Sequence, residues 1–283
     1  MQTTTAAPLL DHVFLTVSEP TLDAITGCGF LTKEEFGRFR IKEATSTLIG
    51  PYRTANVAGI STFVEFFPDS SPPLESVRVG MVLSFSRPGT SARVQRRLTE
   101  AGFAFHHELV RRTVEGADEP QPWYHLVRPD LGPDSPFTLF LSEITPEYFA
   151  RLGALPGPGG TQDRAAYLAA AMRAEQQPEH QLVDVVGVTV QLDQARAELL
   201  SRILQLLGYT AHGDRLVGPG VTVVITAGDG PERLRSLRLR LRRAEPRHFE
   251  LGDSTLRLSP DGDNDPFAEW VFHGSGQNGL RHG

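Results

Sequence analysis

The chain has 283 residues, enough for roughly two domains, and its 40% hydrophobic and 22% charged content is that of an ordinary soluble globular protein. A formal net charge of −6 argues against a general nucleic-acid surface, because phosphate binding needs a basic face. The single Cys28 excludes an intrachain disulfide and fits a reducing compartment, where a small buried thiol is expected rather than a nucleophile. Residues 1–8 carry neither a basic stretch nor an apolar core of the secretory type, and no apolar run approaches the roughly 20 residues that cross a bilayer. These features point to a cytoplasmic protein with no membrane partner. Lysine occurs only at Lys33 and Lys42, which reads as a base-composition bias alongside the many Ala, Gly and Pro residues.

In chain order, the first strand is expected over 9–17, where period-two alternation sets His12, Phe14 and Thr16 on one face and Asp11, Val13, Leu15 and Val17 on the other. A helix follows near 19–28, closed by Gly29 and Phe30, then short strands near 36–42 and 45–50 and a strand at 61–67. The pattern repeats. A strand at 77–85 leads to a helix at 90–101 that again ends in Gly-Phe (Gly102, Phe103), with strands at 104–112, 123–127 and 137–143. Leu155, Pro156, Gly157, Pro158, Gly159 and Gly160 form a linker by composition, followed by a helical stretch at 163–177. A third copy has a strand at 183–190, a helix at 192–206 and strands at 209–213, 214–218 and 221–226. The fourth is degraded: a strand at 237–242 precedes strands near 247–250 and 254–259 with no clear helix between them. The tail from Gly274 is polar and Gly-rich, as disordered termini are.

Each unit therefore reads strand–helix–strand–strand–strand. One unit cannot cover both faces of its sheet, so two should pair into a curved eight-stranded sheet around a cavity. The expected organisation is α+β: a domain over 9–150 holding the cup, a linker and helix over 151–181, a degenerate second domain over 182–273, and the tail over 274–283.

Two side chains stand out as candidates for function. His12 is an imidazole aimed from a rigid strand, suited to a metal or to proton transfer. Glu65 lies among Phe63, Phe66 and Phe67, and a carboxylate in that setting costs free energy unless it is paired or coordinated. The alternatives are a satisfied core histidine and a carboxylate at a solvent-exposed strand end. Phe14, Phe63, Trp123 and Tyr124 would line a cup for a hydrophobic or planar substrate. The alternating arginines Arg238, Arg240 and Arg242 read as the wet face of a half-buried strand. Asp261, Gly262, Asp263, Asn264 and Asp265 read as a turn, since the spaced glycine and closing glutamate of a calcium loop are missing. There is no phosphate loop, serine elbow or paired-cysteine motif.

The Leu10-Asp11-His12-Val13 opening, the helix closing on Gly-Phe and the late strand carrying Glu65 resemble the glyoxalase/bleomycin-resistance (vicinal oxygen chelate) superfamily, over 9–145 in detail and over 182–227 in pattern. The resemblance implies metal ligands on the first and last strand of each unit, which fall on His12 and Glu65. Where many metal-dependent members carry a second histidine, this chain has Gly80. Glu143 or His125 is left to supply a third ligand, or the group that moves a proton, and only one of His106 and His107 can face the cavity. The equivalents in the third unit, Val185 and Ile225, cannot hold a metal. The implied function is a lyase, isomerase or dioxygenase using Fe, Mn, Zn or Ni on a substrate with adjacent oxygens. The alternative is a metal-free cup that sequesters a drug-like or aromatic ligand. A small molecule is the implied partner, and a homodimer the assembly left open.

Overall fold

The computed structural model describes residues 7–33, 35–74, 76–114, 116–172, 180–260 and 266–273. The first unit comprises β1 (Leu9–Val17), α1 (Glu19–Gly27), the short α2 (Gly29–Thr32), β2 (Arg38–Ser46), β3 (Gly50–Ala58) and β4 (Phe63–Pro68). The second comprises β5 (Val79–Ser84), α3 (Thr90–Glu100), β6 (Phe105–Arg112), β7 (Gln121–Pro129) and β8 (Phe137–Ile144). Their eight strands close into a barrel in the order β1-β4-β3-β2-β6-β7-β8-β5. Closure between β2 and β6 rests on one strand pairing, Ser46 with Arg112.

Two expectations shift here. Gly29 does not end the first helical stretch but opens α2. The strand expected at 45–50 belongs to β2 and a turn, and β3 lies beyond it. That strand is hard to see in sequence because its inward positions, Tyr52, Thr54 and Asn56, are polar-tipped residues facing a cavity rather than a core.

After α4 (Pro146–Arg151), capped by the Thr145 hydroxyl, and a 3-10 turn at Pro158–Gly160, the linker carries α5 (Arg164–Ala171). The stretch of the expected helix beyond Met172 lies outside the described residues, as do 261–265 and the tail from Gly274. The third unit has β9 (Leu182–Leu192), α6 (Gln194–Leu206), β10 (Thr210–His212), β11 (Arg215–Gly218) and β12 (Val221–Ala227). The fourth has β13 (Arg233–Leu241), β14 (Arg247–Glu250), β15 (Ser254–Ser259) and β16 (Phe267–Phe272). Sequence patterning had missed this last strand. The eight strands form one sheet in the order β10-β11-β12-β9-β13-β16-β15-β14.

The missing fourth helix has a topological consequence. In the complete units the helix returns the chain, so the first and last strands run parallel, as β1 with β4, β5 with β8 and β9 with β12 do. Without a crossover, β16 returns antiparallel to β13.

Apolar outward positions of β1, β4, β5 and β8 join the second sheet in one core. Val13, Leu15, Val64, Phe66, Met81, Leu83 and Leu139 are buried there with Val188, Leu237, Leu239 and Trp270. Phe66 and Trp270 meet at 5.0 Å. Val185 and Ile225 are buried in the same core. Polar bonds fix the register of the two sheets: Asp184 Oδ1 accepts from the backbone N–H and hydroxyl of both Ser61 and Thr62. With its outside committed to packing, the barrel keeps its inside for a separate cluster formed by Phe14, Tyr52, Phe67, Val82, Leu126 and Phe140.

Candidate active site

The barrel encloses a cavity of about 140 Å³. Even-numbered residues of β1, β2 and β3 and odd-numbered residues of β4 point into it, as strand alternation requires. Two β-bulges break that alternation where the polar groups gather. Between β1 and β5, Leu10 pairs with Leu83 and His12 with Val82, leaving Asp11 as the extra residue. Between β6 and β7, Val110 pairs with Tyr124 and Arg111 with Pro122, leaving Trp123 extra. A bulge re-aims side chains, and here Asp11 joins His12, and Trp123 joins Tyr124, at the cavity wall.

His12 is stacked on Phe63, with ring centroids 4.2 Å apart. Its Nδ1 lies 2.7 Å from Asp11 Oδ1. Burial pushes the Asp11 carboxyl up, but Arg164, 2.7 Å from its other oxygen, together with His12, outweighs burial and holds it below the ordinary value. Asp11 is therefore an ionised acceptor at neutral pH and His12 Nδ1 must donate to it, so neutral His12 presents a lone pair at Nε2. That atom faces Glu65 Oε2 at 3.6 Å. Glu65 Oε1 accepts from the Thr54 hydroxyl (2.9 Å), which accepts from Asn56 Nδ2 (3.0 Å), and it lies 3.6 Å from Lys42 Nζ. Burial works against the Lys42 ammonium, but Glu65 and Tyr52 beside it keep its pKa above the usual value. Burial, reinforced by Tyr52 and Tyr167, raises Tyr124 far above the usual phenol, so its hydroxyl stays protonated.

One end of the cavity is covered by α5. Tyr167, Leu168 and Met172 line it, Trp123 Nε1 donates to the Tyr167 hydroxyl at 3.1 Å, and Arg40 Nη1 donates to the Ala171 carbonyl at 2.8 Å. Burial pushes Tyr167 up to about 12, so it too is a neutral hydroxyl.

The expected site residues therefore divide. His12, Glu65, Phe14, Phe63, Trp123 and Tyr124 converge on the cavity. Glu143 does not: it lies on the outer face of β8, where its carboxylate accepts from the backbone N–H groups of Gly89 and Ser91 (2.7 Å each) at the start of α3. A one-residue step along a strand reverses the face, and Glu143 is an anchor for that helix. His125 is also displaced. The bulge at Trp123 sends Tyr124 and Leu126 inward, so His125 faces out and stacks on His107 at 6.1 Å. Asp11, Lys42, Arg112 and the α5 residues were not foreseen. Lys42 had a usable signal, being one of two lysines and falling at an inward position of its strand.

A catalytic divalent metal usually takes at least three protein ligands. The cavity offers His12 Nε2 and Glu65 Oε2; both Asp11 oxygens are committed to His12 and Arg164. The position of Gly80 cannot supply a third, because a Cβ there would stand 2.1 Å from the Phe14 ring. Among the described residues, no group of three His, Cys, Asp or Glu side chains is placed to hold a metal. The Lys42 ammonium already supplies positive charge beside Glu65. The donor set does not fit a resident divalent metal.

Paired units of this topology around a polar-lined cup are the fold expected from the glyoxalase/bleomycin-resistance (vicinal oxygen chelate) resemblance. Residues 10–272 match the model of a family of unknown function, DUF5829, and the chain belongs to that family. No curated protein matches the sequence. Among solved structures the chain is similar to a Mn(II)-bound glyoxalase from Novosphingobium aromaticivorans, at 10% identity and a TM-score of 0.45 over 89% of this chain and 78% of that one. It is also similar to a 2,2',3-trihydroxybiphenyl 1,2-dioxygenase from Sphingomonas wittichii (13% identity, TM-score 0.45, 84% and 74% covered). An extradiol ring-cleaving dioxygenase from B. fuscum gives 14% identity and a TM-score of 0.44 over 94% and 73%. Among the described residues no helix is long and apolar enough to cross a membrane.

Proposed function

We propose that the barrel is a metal-free site that binds a compact planar molecule and exchanges a proton with it through His12. One observation carries this reading: His12 Nε2 and Glu65 Oε2 face each other at 3.6 Å inside an aromatic cavity. With Nδ1 donating to Asp11, the neutral imidazole turns its Nε2 lone pair toward the cavity, where a ligand can donate to it. A ligand hydroxyl donates its single proton to Nε2.

Size supports a single ring. The cavity of about 140 Å³ is close to the roughly 150 Å³ apolar cavity that takes up benzene. Phe14, Phe67 and Phe140 give the ring edge and face contacts; Phe14 meets Phe67 at 5.9 Å and Phe140 at 5.6 Å. In proton transfer each group has one task. His12 Nε2 accepts the proton, Asp11 holds the imidazole through Nδ1 and balances the imidazolium that forms, and Arg164 keeps Asp11 ionised. Lys42 stands 3.6 Å from Glu65 and balances its charge.

Phenol is the simplest probe. With a dissociation constant of about 1 mM, 10 mM phenol stabilises the fold by about 1.4 kcal/mol, and the His12 ring resonances, identified by their loss in His12→Gln, move on titration. If phenol leaves both the melting temperature and those resonances unchanged, the reading is wrong.

A further inference from the structure

We propose that the ligand of this cavity is an anion, a one-ring carboxylate in its simplest form, whose acidic group is held by Arg112 with Lys42 beside it. The inference rests on the ring-binding reading above and adds the charge of the ligand.

The chain is acidic as a whole, at −6, yet its barrel interior is not. Lys42 and Arg112 reach the cavity, and Glu65 is the acid beside Lys42. Asp11, the other acid at the wall, is matched by Arg164. The positive charge therefore exceeds the negative inside a low-dielectric wall, where an excess is felt most strongly.

Arg112 locates the excess. Its Nη1 donates to the Tyr148 hydroxyl at 3.1 Å, and its guanidinium lies 5.0 Å from the centre of the Trp123 ring. Both partners are neutral, and among the described residues no carboxylate stands within ion-pair distance of it. A guanidinium carries five N–H donors in a planar fork that matches a carboxylate with two parallel bonds. Here one donor is used. Trp123 also ties Arg112 to the rest of the site, because Lys42 Nζ lies 5.4 Å from the same ring and 3.6 Å from Glu65. The cavity thus runs from the group His12, Glu65 and Lys42 to Arg112, with the Trp123 ring beside both cations. A ligand matching that order has a hydroxyl at one end and an anion at the other.

The test compares three ligands of nearly equal size, phenol, benzoate and benzamide, by calorimetric titration at pH 7. Benzoate is expected to bind about tenfold more tightly than its neutral isostere benzamide. In Arg112→Met that ratio should fall to about two or less while phenol binding stays within about twofold. Arg112→Gln, which retains a donor for Tyr148, gives the same comparison if the Met variant melts too low to titrate. Benzamide binding as tightly as benzoate in the wild type, with phenol still bound, overturns the anion assignment and leaves the ring-binding reading standing. Failure of all three to bind overturns both.

Discussion

Replacing Trp270 by alanine is expected to destabilise the protein by about 4 kcal/mol and to lower the unfolding midpoint of the barrel, although Trp270 belongs to the other sheet. Its side chain is fully buried. The indole packs against Phe66 at 5.0 Å and Phe272 at 5.9 Å, and its Nε1 donates to the Ser254 hydroxyl at 3.1 Å. Truncation removes a large apolar surface and leaves a cavity between two sheets already fixed by the Asp184 contacts, so the walls have little freedom to collapse onto it. The chain has two tryptophans. In the variant the remaining one, Trp123, reports on the barrel interior by fluorescence, and circular dichroism reports on both sheets. Coincident midpoints, both below those of Trp270→Phe, are expected in urea. A Trp123 midpoint unchanged from Trp270→Phe would show that the barrel stands without the second sheet.

Arg164→Met should be nearly as costly, about 3 kcal/mol at pH 7, because removing one partner of a buried pair leaves the other charge uncompensated. Asp11 is 5% exposed and Arg164 7%. The pH dependence follows from the lowered Asp11 pKa. A carboxyl held below its unfolded value contributes stability that is fully present above the unfolded pKa and is lost as pH falls through the folded one. Its share in the wild type is therefore intact at pH 7 and fades below about pH 4. In the variant, Asp11 has lost its principal opposing charge and takes up a proton more readily, so the gap between the two proteins narrows as pH falls. Urea melts at pH 7 and pH 4 measure the gap, and Asp11→Asn combined with Arg164→Met should recover much of the loss. A gap independent of pH would mean that Arg164 acts by packing against Tyr167, whose ring it covers at 4.9 Å, and not by charge.

Much of this architecture was legible in the sequence because strands and helices announce themselves by period. Alternation set His12 and Phe14 on the same face of β1, and Glu65 with Phe63 on the same face of β4; register then brings these two strands together as parallel neighbours. Alternation fails where a strand carries one residue too many. The bulge at Trp123 moved His125 out of the site, and the bulge at Asp11 moved a second carboxylate in. Neither bulge has a marker in the residues that make it. Glu143 was misplaced for a related reason: a strand end and a helix-anchoring position look alike until the start of α3 is seen above it. The α5 residues were invisible as site residues because their role comes from a linker folding back over the barrel, a contact between segments about 150 residues apart.

On the proposed reading a buried lysine, not a metal, supplies the positive charge beside the His12–Glu65 pair. Calorimetric titration of Mn(II), Fe(II), Zn(II) and Ni(II) into the purified protein, with elemental analysis of the same preparation, tests it most directly. The predicted result is no stoichiometric metal in the isolated protein and no one-to-one binding on titration. One equivalent of tightly bound metal, lost in both His12→Ala and Glu65→Ala, would contradict it.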